Sequence, residues 1–261
     1  LISMLAKNQD LKIGTLLASP WVKDSEEQTL RMAQLNELFN NAKSVTATNK
    51  LIEKLSELQL SDGGFTWFKY NGAFSSEIMT LNILQILGEA RNINATYQND
   101  KLNEIINRSI NYIDKTIIDR YNKQKDKLKF SGYCNYAYTR SLFLDIPMSV
   151  TVQDLYNRIT QSITKEWKKM NIVDKAFAAI TLANFNKHAE AKPILESINQ
   201  FSIYTQATGR FWDNFQNGWY TFYDKVALTS TILQAYHKIE PQAKEIDQIR
   251  QWLLLEKQTN D

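Results

Sequence analysis

Cysteine, histidine and aspartate are the residues through which this chain of 261 amino acids could do covalent, metal or acid–base chemistry. The one cysteine, Cys134, stands among Tyr133, Tyr136 and Tyr138, with no histidine nearby in sequence. A nucleophilic thiol needs a base or a positive field beside it, so Cys134 reads as a small buried hydrophobe. A single cysteine also excludes an internal disulfide framework and a Cys-based zinc cluster. His188 and His237 are far apart, each near the end of a predicted helix, where capping or solvent exposure is expected in place of metal binding or catalysis. Asp62 and Asp213 open similarly placed loops and could form the acid/base pair of an α/α-barrel glycosidase, a mechanism that depends on the separation of its carboxylates. The competing role for Asp62 is to support its turn through the side chain, and that role is the expected one.

Aromatic residues make a second candidate set. Trp67, Phe68, Trp212, Trp219, Tyr220 and Tyr223 all fall in loops. They could line a ligand groove, or they could plug gaps between helix pairs, the more economical account given how much area each ring buries. Lys123, Lys125, Lys127 and Lys129 form a basic stretch interrupted by Asp126, which reads as a solvated loop, because membrane or nucleic-acid recruitment needs a denser cluster.

The elements that must hold these residues are helical. Hydrophobic residues make up 43% and charged residues 23%, an ordinary globular balance that speaks against disorder. Eight glycines and four prolines are too few for an all-β chain that turns every ten residues or so. A net charge of +3 is too weak to indicate a nucleic-acid partner. The sequence contains no run of about 18 apolar residues that would span a membrane. It opens at Leu1 with no signal-peptide pattern and stops after a helical stretch ending in Glu256-Lys257, so the chain reads as a piece of a longer protein.

Two kinds of helix alternate along the sequence. One-sided apolar stripes occur at Leu51, Ile52, Leu55 and Leu58; at Leu102, Ile105, Ile106, Ser109, Ile113 and Ile117; and at Val152, Leu155, Tyr156, Ile159, Ile163 and Trp167. Ile194, Leu195 and Ile198 make a short one, and Ile246, Ile249, Trp252 and Leu253 close the series. Between them, Ile78 to Leu87, Tyr133 to Leu144, Ile172 to Phe185 and Val226 to Tyr236 are compact or apolar nearly all round, and must be covered on most sides. Alternation of wholly covered and half-exposed helices predicts an all-α fold of about ten helices in two concentric layers, an α/α toroid. A simple four-helix bundle would show the one-sided type throughout, and the fixed repeat of an open solenoid is absent.

The loops echo one another as well. Gln59-Leu60-Ser61-Asp62-Gly63-Gly64-Phe65-Thr66-Trp67 follows one outer helix, while Gly209-Arg210-Phe211-Trp212 and Gly218-Trp219-Tyr220 precede a later inner helix. Each inner helix then carries Thr-x-x-x-Leu-Gln, at Thr80 to Gln85 and at Thr229 to Gln234. Glycine ends the outer helix in a left-handed conformation at low cost.

Gln59 to Trp67 resembles the repeat of the terpenoid cyclase and prenyltransferase toroids. A wider set of segments is similar to the bacterial alpha-2-macroglobulin family: Leu1 to Lys12, Ser19-Pro20-Trp21-Val22, Leu58 to Phe65, Arg140-Ser141-Leu142-Phe143-Leu144-Asp145-Ile146-Pro147, Gly218-Trp219-Tyr220, and Trp252-Leu253-Leu254 with Lys257-Gln258-Thr259. The resemblance implies the complement-like thioester domain of a large protein of the cell envelope that inhibits proteases by entrapment, with proteases and the other domains of the same chain as partners and no cofactor. In that family a strained Cys–Gln thioester, in a Cys-x-Glu-Gln motif, acylates the trapped protease.

This sequence departs from the pattern there. Cys134 is followed by Asn135-Tyr136-Ala137, and Ser25-Glu26-Glu27-Gln28 has the spacing with a serine in place of the thiol. Any thioester is therefore expected upstream of Leu1, and the chain itself is expected to be a non-enzymatic scaffold. Terpene cyclase chemistry needs an Asp-rich motif, which is absent, and the zinc set of the prenyltransferases has no match in Cys134, His188 and His237. The alternative is an α/α-barrel carbohydrate-active enzyme or sugar-binding module using the aromatic loops with Asp62 or Asp213. A third reading is a scaffold that only packs against neighbouring domains.

Overall fold

The computed structural model describes residues 41–259 apart from 69, 71, 94–98, 125–129 and 214–223. By its internal contacts the chain divides into two units, Leu1–Glu57 and Leu58–Asp261. The first described helix, α1 (Asn41–Leu58), buries Ile52 and leaves Leu51 and Leu58 more than half exposed. Its apolar stripe is thus narrower than the sequence pattern indicates.

Residues 58–261 are built from helices in pairs: α2 (Glu77–Ile93) with α3 (Asp100–Gln124), α4 (Cys134–Ser141) with α5 (Val150–Glu166), α6 (Ile172–Asn184) with α7 (His188–Asn199), and α8 (Lys225–Ile239) with α9 (Glu245–Thr259). The protein is all-α. A two-stranded antiparallel hairpin, β1 (Ile203–Thr205) and β2 (Gly209–Phe211), is the small exception among the described residues, and β2 packs on α9. The first members of the pairs touch in chain order, α2 to α4, α4 to α6, α6 to α8, and each also packs on its own second member.

Burial follows the two sequence types. Every residue of α6 from Ile172 to Ala183 is buried, whereas α7 buries only Ala191, Ile194, Leu195 and Ile198. Helix α5 buries one stripe that includes Val152, Leu155, Tyr156, Ile159 and Ile163. Side-chain caps fix where these helices begin: Ser149 accepts from the Val152 N–H, Asn171 from Asp174 and Asp224 from Ala227, each supplying a partner that the first helical turn lacks. Asn186, at φ +59°, ends α6 in the left-handed conformation that asparagine tolerates.

Helix α2 departs from expectation. Its apolar residues go all round, yet Ile78 is 37% and Ile86 66% exposed, so one face lacks the cover its composition calls for. Tyr138, wholly buried on α4 and stacked on Phe177 of α6, donates its hydroxyl to Glu89 of α2 at 2.6 Å and lies 3.2 Å from the side-chain oxygen of Gln234 on α8. One phenol therefore touches polar groups of both the first and the last pair.

Candidate functional site

The loop Gln59–Phe65 is held by a dense polar lattice. The Gln59 amide nitrogen donates to the carbonyls of Gly63 and Ile105 and to the Ser109 hydroxyl, all at 3.0 Å. Arg108 reaches back from α3 to the Leu60 carbonyl at 2.9 Å. Gly63 sits at φ +92° against α3, where a Cβ would lie 2.3 Å from the Arg108 carbonyl oxygen; only glycine meets both conditions. The Asp62 carboxylate accepts from the Gly64 N–H (3.1 Å) and the Ser75 hydroxyl (2.6 Å), so it is engaged in the turn. Phe65 is buried and its N–H donates to the Thr80 hydroxyl at 2.9 Å.

The loop before α8 repeats this construction. Gly209 sits at φ +79°, where a Cβ would lie 2.4 Å from the Gln248 carbonyl oxygen of α9. Gln251 of α9 caps the Gln206 and Ala207 carbonyls, as Arg108 does in the first loop. The N–H of Trp212 points to the Thr229 hydroxyl at 3.4 Å, and its indole N–H donates to the Ile198 carbonyl at 2.8 Å. The matching threonines and glutamines of the two helices thus do matching work: Thr80 and Thr229 receive the buried aromatic residue, while Gln85 and Gln234 both turn toward α4, at Thr139 and Tyr138.

The candidate aromatics part company here. Trp212 is fully buried and is packing, whereas Trp67 is 52% and Phe68 80% exposed. Tyr70 and Phe74 extend that exposed set; Trp219, Tyr220 and Tyr223 lie outside the described residues, as do Lys125, Lys127 and Lys129 and the Ser25 to Gln28 segment. Beneath the exposed rings the loop is stapled by the Phe65–Ser76 bridge and by the Tyr112 hydroxyl on the Ser75 carbonyl at 3.0 Å.

Cys134 has no accessible surface, lies 3.7 Å from the Met170 sulfur, and burial pushes its thiol well above the ordinary range. Such a thiol stays protonated and unreactive. His188 begins α7 and His237 lies in the last turn of α8 against Arg250. Among the described residues no group of three or more His, Cys, Asp or Glu could hold a metal ion, and no helix is long and apolar enough to cross a membrane.

Sequence reasoning missed the most polar buried cluster. Arg140 is wholly buried; its guanidinium reaches Asp114 (3.3 Å) and the carbonyls of Phe143 (2.6 Å), Ile146 (2.8 Å) and Pro147 (3.2 Å). Asp114 also accepts from the Tyr136 hydroxyl at 2.7 Å. This clasp explains the Arg140–Pro147 segment physically: the arginine satisfies the carbonyls of the very loop that follows it. A cavity of about 280 Å³ opens beside it, lined by polar Asp114, Lys115 and Asp119 and by apolar Ile118, Pro147 and Val152 among others.

No protein-family model matches the chain, and no curated protein matches it.

Proposed function

We propose that this chain is a non-enzymatic scaffold domain, an α/α toroid, of a protease-entrapping inhibitor of the bacterial alpha-2-macroglobulin type. The observation that carries the reading is the recurrence of one joint at two places 149 positions apart by residue number (Thr229 against Thr80): a left-handed glycine against the second helix of the pair that follows, a buried aromatic residue, and a threonine hydroxyl receiving its backbone N–H. A fold assembled from such joints places inner helices against one another and outer helices against them. The hydroxyl of Tyr138, shared between α2 and α8, supports an inner layer that curves back on itself. The family assignment rests on the sequence resemblance.

A scaffold role suits the chemistry on hand. The buried thiol is unreactive and Asp62 is committed to its turn. The exposed rings of Trp67, Phe68, Tyr70 and Phe74, on a loop braced from below, are the surface that a neighbouring domain of the same protein would bury. Of the two carboxylates a saccharide site could use, Asp62 or Asp213, the first already accepts from Gly64 and Ser75.

The test is an entrapment assay on the full-length protein. A protease captured by this mechanism keeps its activity on a small peptide substrate and loses it on a large protein substrate. Unchanged activity on the protein substrate, or equal loss on both, would overturn the proposal.

A further inference from the structure

Lys175 is an anomaly within α6. Lysine is almost never buried without a counter-charge, yet this residue is only 7% exposed. Its ammonium donates to the Ser197 hydroxyl at 3.0 Å. Two aromatic rings also face it, Phe201 with its centre at 5.4 Å and Trp167 at 5.8 Å. No carboxylate among the described residues pairs with it. An ammonium carries three donors, of which one has a partner among the described residues.

The cover is thin. Phe201 is 48% exposed in the turn after α7, and both Trp167 and Ser197 are half-buried, so rotation of one or two side chains opens a path to solvent. Lys168, itself exposed, places a second ammonium 5.8 Å from the other ring of the cage, Trp167. Low solvation favours the neutral amine, and burial pulls Lys175 below its ordinary 10.5. The contact with the rings works the other way, but at these distances a cation–π attraction is worth only about 0.5–1 kcal/mol.

We propose that Lys175 is a site of acylation by activated acyl donors, acyl thioesters or acyl phosphates. The ammonium first gives a proton to water. The free amine attacks the acyl carbonyl, the N–C bond forms, and the C–S or C–O bond breaks to release thiolate or phosphate, the second amine proton passing to solvent. The product is a neutral amide whose N–H retains a donor for Ser197. Acylation therefore replaces a charge that has no carboxylate partner among the described residues by a group that an aromatic cage accommodates better. This inference goes beyond the scaffold reading and does not depend on it.

The experiment exposes the full chain, separately, to acetyl-CoA and to acetyl phosphate at neutral pH and follows each lysine by peptide mass spectrometry. Lys175 is expected to acetylate faster than exposed Lys165, Lys168 and Lys169, by at least about twofold, because reactivity rises with the free-amine fraction. A preference with only one donor identifies the thioester or the phosphate as the source. A rate equal to or below that of the exposed lysines with both donors overturns the proposal. A second measurement does not require the reaction: Lys175→Gln, which carries a neutral amide, should melt within about 2 °C of the wild type. A large loss of stability in Lys175→Gln would show that the cage needs the charge, and would overturn it too.

Discussion

Arg140 and Asp114 pair at 3.3 Å with the arginine side chain wholly buried, and three loop carbonyls complete the guanidinium's hydrogen bonds. Removing one partner of such a pair leaves an uncompensated buried charge. Arg140→Met should cost about 3–5 kcal/mol in denaturant unfolding, with the connection between α4 and α5 the first region to gain hydrogen exchange. A cost below about 1 kcal/mol would mean that the carbonyl clasp contributes nothing.

The same pair predicts a pH signature. Burial lifts the Asp114 carboxyl above its ordinary 3.8, against the opposing pull of Arg140 and the Tyr136 hydroxyl. The folded state then holds this proton more tightly than the unfolded chain. Its contribution to stability is full below the ordinary value and declines as the pH rises through the raised one. Measured between about pH 3 and about pH 7, the advantage of wild type over Asp114→Asn should therefore shrink with rising pH. A widening advantage would show that attraction to Arg140 outweighs burial.

Three glycines give a graded test of the joints. Gly63 and Gly209 combine positive φ with a Cβ position 2.3 and 2.4 Å from a carbonyl oxygen, while Gly72, at φ +84°, has nothing within 4 Å. Gly72→Ala should cost about 1 kcal/mol, and Gly63→Ala and Gly209→Ala clearly more, on the order of 2–4 kcal/mol. Equal losses at all three positions would show that close helix approach plays no part.

The threonines can be tested with little change of shape. Thr80→Val leaves the buried Phe65 N–H without its acceptor and should cost about 1–3 kcal/mol. Thr229→Val should cost less, because the Trp212 N–H stands at 3.4 Å against 2.9 Å for Phe65. A reversed order in thermal unfolding would refute the equivalence of the two joints.

Cys134 should stay silent in thiol titrations of the folded protein, before and after methylamine. Methylamine opens a thioester and frees its cysteine, so a rise of about one thiol per molecule would come from a cysteine other than Cys134. Rapid reaction of Cys134 itself would contradict its burial.

Helical class and the covered nature of α6 were legible because both depend on local periodicity: an unbroken apolar run from Ala176 to Ala183 with one threonine can only be core. The Thr80 and Thr229 echo was legible too, since the two helices repeat the same spacing. What escaped was everything decided by distance in space. Arg140 looks like an ordinary surface arginine in sequence, and only the return of the chain through Phe143 to Pro147 gives it carbonyls to bind. Lys175 likewise looks solvated until Trp167 and Phe201, from two other segments, close over it. Ile78 and Ile86 failed in the opposite sense: apolar composition states a need for cover, and the identity of the covering element is not written in the helix itself.

Tyr138 also bears on how the molecule comes apart. In a linear repeat array each unit touches only its neighbours, so ends fray independently and stability is close to a sum of nearest-neighbour terms. Here one phenol joins Glu89 and Gln234, groups from opposite ends of the paired helices. The terminal pairs are thereby coupled, the loop closed between them is long, and its entropy must be lost before that contact forms. Residues 58–261 are therefore expected to melt as one cooperative body, in a single transition by calorimetry, and to fold more slowly than their helix content alone would indicate.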